Sequence, residues 1–123
     1  EALWDACLSV AGCLDETRFG PAVPVQTRKD GVVTPGKTGE GWRRSIYGQQ
    51  LRKDLPTLHE VFDAPQMNPN CLERSESTVA TQALHLLNDG VVRELAARFA
   101  RRVEKEAGLD PARQVERAFW IGF

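Results

Sequence analysis

Between Asp15 and Gly41 the chain places Gly20, Pro21, Pro24, Gly31, Pro35, Gly36, Gly39 and Gly41, eight residues that interrupt regular helix. Proline removes an amide donor and locks φ, and glycine gives up the most backbone freedom on ordering, so no long helix runs through this stretch. It is expected to form a long surface connection with short strands. The helix-patterned sequence therefore lies on either side of it and must pack across it.

Before it, Leu3, Trp4, Cys7, Leu8, Ala11 and Leu14 recur at helical spacing, with Gly12 marking the last turn. Cys7 and Cys13 lie about 9 Å apart along a continuous helix, too far for a disulfide, and are read as two small buried hydrophobes. They pair only if the helix ends at Gly12 and the chain turns back.

Within the Gly/Pro segment, Gly31-Val32-Val33-Thr34-Pro35-Gly36-Lys37-Thr38 fits the phosphate-loop pattern G-x-x-x-x-G-K-[ST]. Such a loop needs an apolar strand before it and a helix after it, so that amides converge on the anion. Polar residues 26–30 precede it and Gly39-Glu40-Gly41 follow, which leaves a Gly/Pro hairpin tip as the expected structure. Trp42 to Tyr47 reads as a short strand pairing with Val32-Val33, with Arg43 and Arg44 in ordinary packing and ion pairs.

Leu55, Leu58, Val61 and Phe62 suit one or two helical turns begun at Pro56. His59 and Asp63, four apart, fall on one face and have the spacing of a metal pair or an acid–base couple. Then comes a polar loop containing Pro65, Pro69, Cys71 and Arg74. A cysteine beside an arginine near a helix start can have a lowered pKa and act as a nucleophile. The competing expectation is that Cys71 plugs the loop into the core while Arg74 and Asp63 serve the backbone.

After the loop, Val79, Ala80, Ala83, Leu84 and Leu87 form an apolar stripe behind Ser77 or Thr78, and this helix is expected to be the most buried. Asp89 is the expected cap of a helix whose inward face is Val92, Leu95, Ala96, Phe99 and Val103. Its other face, with Arg93, Arg101, Glu104 and Lys105, mixes signs and is expected in solvent. A last helix opens on Asp110 and Pro111 and is expected to bury Val115, Ala118 and Phe119.

The fold class expected is mainly α, a compact helical domain of about five helices with a small β hairpin. It is one domain over 1–123: a helix over 1–14, a Gly/Pro-rich loop and hairpin over 15–52, a short helix and polar loop over 55–77, and three helices over 78–121. The chain opens directly on a helix and ends on apolar residues, so a fragment excised from a larger domain is expected. Sixteen basic against seventeen acidic residues give a net charge of −1, which supplies no field for nucleic acid. No apolar run reaches the roughly 18 residues of a membrane span.

Arg43-Arg44-Ser45-Ile46-Tyr47, Phe62-Asp63-Ala64-Pro65, Asn68, Cys71, Arg74, Ser77-Thr78, Gln82-Ala83-Leu84 and Leu87-Asn88-Asp89, in that order, resemble the C-terminal domain of unknown function of large planctomycete proteins. Residues 1–15 and 115–118 are similar to it as well, so the resemblance covers nearly the whole chain. Asp89 is followed by Gly90 where the family pattern has proline. The resemblance implies a parent protein that is exported to the periplasm or cell surface and carries a cytochrome-c-like domain. Any haem c then belongs to another domain, because this chain has no Cys-x-x-Cys-His and no cofactor is expected in it.

The function expected is a non-catalytic structural or interaction module whose partners are the other domains of the parent; its oligomeric state stays open. One alternative is part of a hydrolase or oxidoreductase, with polysaccharide as the substrate class the resemblance suggests and candidate site residues Asp63, Cys71, Arg74 and His59. Another is a carbohydrate-binding module using Trp42, Tyr47 and the nearby arginines.

Overall fold

The computed structural model describes residues 1–51, 53–65 and 77–123. It is mainly helical, with five α-helices and four very short strands among the described residues. Helix α1 (Ala2–Ala11) buries Trp4, Leu8 and Ala11, the i, i+4, i+7 stripe. It stops at Gly12, whose φ of 69° is the left-handed region where a Cβ is costly; Gly12 N bonds Ser9 O and Cys13 N bonds Leu8 O. The chain does turn back there, yet Cys7 and Cys13 are both free thiols.

Strand β1 (Leu14–Asp15) pairs in parallel with β4 (Trp42–Arg43), in register Leu14 with Trp42 and Asp15 with Arg43. Strands β2 (Val25–Thr27) and β3 (Val33–Pro35) form the antiparallel hairpin, Gln26 opposite Thr34. The expected pairing of Trp42–Tyr47 with Val32-Val33 is therefore wrong. Val33 has Thr27 as its partner, Trp42 joins Leu14, and Ser45–Tyr47 coil into a 3-10 turn. Gly41 makes the β4 contact possible: a Cβ there would overlap the Cys13 carbonyl oxygen, which accepts the bond from Trp42 N.

The short α2 (Thr57–Val61) leads to α3 (Ala80–Asn88), α4 (Gly90–Ala107) and α5 (Pro111–Gly122). Asp89 and Asp110 cap α4 and α5 as expected, Asp89 accepting from Val91 N at 2.9 Å and Val92 N at 3.0 Å. The core gathers Trp4, Leu8, Ala11, Cys13, Trp42, Leu58 and Leu95, with Leu86 and Val91 against it. Trp4 meets Trp42 edge to face, centroids 6.0 Å apart. From α4, Leu95 and Val103 are buried and Phe99 half-buried, whereas Ala96 is exposed. In its place Arg98 and Arg102 face inward. Arg102 bonds the carbonyls of Ser9 and Val10 at the C-terminal end of α1, and Arg98 lies 5.8 Å from the Trp42 ring.

Two helices are turned differently from expectation. In α3 none of the residues is buried; Gln82, His85 and Leu86 face inward while Leu84 and Leu87 point out. The rotation is set by Gln82, which donates to the carbonyls of Val61 and Ser77 and so docks that face on α2. In α5, Val115 and Phe119 are exposed rather than buried and Ala118 is half-buried; its main packing among the described residues is on α4.

Candidate functional site

Of the four candidate residues, His59 and Asp63 are among those described, and they do not pair with each other. His59 sits in α2 and is buried, 7% exposed. Burial is the largest cause that pulls its pKa below the ordinary value. Asp63 follows α2 in a left-handed conformation, φ 54°, that is unusual without glycine. Its Oδ2 accepts from both the amide and the hydroxyl of Ser77, each at 2.7 Å. The carboxylate thus goes to the start of the next segment, not to His59, and the expected acid–base couple does not form. Cys71 and Arg74 lie outside the described residues.

With Gln82, the Asp63–Ser77 pair ties the end of α2 to the start of α3. That arrangement is a clasp. The strained φ is held by two bonds whose acceptor is a carboxylate, the stronger class of hydrogen bond. Cys7 and Cys13 offer no activated thiol, because burial raises both pKa values, the reverse of what a nucleophile needs.

The phosphate-loop match starts at the tip of the β2–β3 hairpin and runs on through β3, so it is not the hairpin tip alone that was expected. Val33–Pro35 are strand, Thr38 N bonds Gly41 O in a tight turn, and no helix follows. Lys37 reaches Glu94 on α4 at 2.9 Å, holding that carboxyl below the usual range, and lies 4.7 Å from the Trp42 ring. Trp42 is 1% exposed and cannot stack on a sugar. Tyr47 is half-buried with one face covered by the Arg43 guanidinium at 3.9 Å, so it does not form an open aromatic pair with the buried Trp42.

Arg43, expected in ordinary packing and ion pairs, packs on Tyr47 and is in addition a buried hub. Nη2 donates to the carbonyls of Thr17 and Phe19 at 2.7 Å, and Nη1 to Pro21 at 3.2 Å, which pins the loop after β1. Asp5 works similarly from α1. Its Oδ1 accepts from the amide and hydroxyl of Ser45, and its Oδ2 from Arg44. Nothing in local spacing marks these roles, since each links residues far apart in the chain.

Among the side chains exposed by the described residues is an apolar group. On α5, Val115, Phe119, Trp120 and Phe123 are 72%, 59%, 68% and 99% exposed. Phe119 lies 5.3 Å from Phe123 and 6.3 Å from Trp120 between ring centroids, so the side chains form one continuous aromatic stripe. Leu84 and Leu87 form a smaller exposed pair on α3. Among the described residues no helix is long and apolar enough to cross a membrane, and no group of three His, Cys, Asp or Glu side chains is placed to hold a metal.

No curated protein and no solved structure matches the chain. The family model described as PSD1, protein of unknown function (DUF1553), matches residues 1–123, and the chain belongs to that family.

Proposed function

We propose that this chain is a non-catalytic interaction module, whose α5 stripe docks another domain of a larger parent protein. The observation that carries the reading is the exposed run of Val115, Phe119, Trp120 and Phe123. A continuous aromatic surface of this kind costs solvation free energy in a free domain and is the usual mark of a contact surface. Asp63, Asp5, Arg43 and Asp89 are all engaged in holding loops and helix ends, a role that needs no substrate. The larger setting, with export and a haem c on another domain, follows from the planctomycete resemblance and forms part of the proposal.

The test is Phe119→Ser with Phe123→Ser in the parent protein. Both side chains are exposed in this chain, so its own melting should hold while the two parts of the parent, cut by limited proteolysis, cease to co-elute. Turnover of a defined substrate by this chain alone would overturn the reading.

A further inference from the structure

Residues 16–22, the loop after β1, are all exposed, yet the backbone at their centre is held from both sides. Phe19 donates its amide to the Tyr47 hydroxyl at 3.3 Å, and its carbonyl accepts from buried Arg43 at 2.7 Å. Between those bonds its φ is 65°, in the left-handed region where a bulky side chain is strained. The ring is 83% exposed, so burial within this domain does little to offset the strain. Asparagine or glycine at this position would make the same two backbone bonds at less cost. Folding alone therefore gives no reason for an aromatic residue here.

Tyr47, which holds the Phe19 amide, also lines an open cleft of about 310 Å³ with Glu16, Arg18, Arg44 and Ile46. Ile46 is 82% exposed and gives the cleft an apolar wall. Arg18 and Glu16 form no ion pair among the described residues, and Arg44 gives Asp5 its Nε at 3.2 Å, which leaves its two Nη groups. The lining thus sets two guanidinium groups against one carboxylate. We infer that this cleft, with Phe19 at its rim, binds a polypeptide segment carrying an apolar side chain next to a carboxylate. The apolar side chain packs on Ile46 and Phe19, and the carboxylate takes the forks of Arg18 and Arg44. Glu16 opposes it, but an ammonium in the same place would face both arginines. Asp5, the other acid near Arg44, is already engaged by Ser45. The surface shares no residue with α5 and stands independently of the contact proposed there.

Amide NMR spectra of the chain, titrated with end-blocked leucyl-aspartate, leucyl-lysine and seryl-aspartate dipeptides at millimolar concentration, test this. Leucyl-aspartate should shift the amides of Arg18, Phe19 and Ile46 saturably, with an apparent affinity about threefold or more above either of the others. No shift, or equal shifts from all three, overturns the inference. Arg18→Gln should abolish the preference for aspartate over lysine, and its survival would count against the assigned charge contact. Phe19→Asn separates binding from folding. It should remove the Ile46 shift while raising the melting temperature by about 2–4 °C, because asparagine tolerates the left-handed backbone and no buried contact is lost. A lower melting temperature would make the ring a folding element and overturn its role in binding.

Discussion

Replacing Arg43 by methionine keeps most of the aliphatic stem and removes the guanidinium, which makes it the sharpest probe of how the Gly/Pro segment is held. Three bonds are lost, to Thr17 O, Phe19 O and Pro21 O, together with the stack on Tyr47. Hydrogen bonds from a charged donor are worth roughly 1.5–3 kcal/mol each, a gross loss of about 4.5–9 kcal/mol. Two effects offset much of it. Thr17, Phe19 and Pro21 are exposed residues, so water can reach their carbonyls once the loop yields, and the desolvation cost of a buried cation disappears. A net loss of about 2–4 kcal/mol remains. Arg43→Lys, with a point charge in place of a fork, should fall about midway. Urea unfolding gives the free energies, and amide exchange of residues 17–21 should accelerate in the variant before global unfolding does. A loss under about 0.5 kcal/mol, with exchange unchanged, would refute the assignment of Arg43 as the hub.

Gly41→Ala should cost at least about 3 kcal/mol in urea unfolding, because a Cβ meets the Cys13 carbonyl and breaks the β1–β4 seam; a change below about 1 kcal/mol would count against that close approach. Asp63→Ala loses both bonds to Ser77 and keeps the backbone strain, whereas Asp63→Gly loses the bonds and relieves φ. Calorimetry should therefore find the glycine variant more stable than the alanine one by about 1 kcal/mol, the reverse order telling against the clasp. His59 has a folded pKa below its unfolded value of about 6.5, so the unfolded chain takes the proton first. Its contribution is complete above pH 6.5 and is lost as pH falls toward the folded value. His59→Leu should flatten urea midpoints measured across that window, and an unchanged slope would contradict the burial argument.

The parts legible in the sequence were those fixed by local chemistry. Gly12 ended α1, Asp89 and Asp110 opened their helices, and the Gly/Pro-rich flanks of the phosphate-loop match pointed to short strand and turn instead of a following helix. What the sequence hid depends on residues distant in the chain. Trp42 alternates with polar residues as any strand would, and nothing near it reveals Leu14 as its partner. Arg43 reads as ordinary packing and ion pairing until the carbonyls it serves are brought to it. Periodicity found the apolar stripes of α3 and α5 but assumed that an apolar face points into its own domain. Gln82 turns the α3 stripe outward, and the packing of α5 on α4 leaves its stripe uncovered among the described residues. For the candidate site, residue type and spacing proposed a couple between His59 and Asp63; the left-handed turn at Asp63 sends the carboxylate to Ser77 instead.

The central claim is that another domain of the parent covers α5. A photo-crosslinking phenylalanine analogue placed at Phe119 in the intact parent protein, with the same analogue at exposed Arg101 as reference, tests it most directly. Irradiation and peptide mass spectrometry should find position 119 joined to a segment outside these 123 residues, well above the yield at position 101. Equal, background-level yields at the two positions would contradict it.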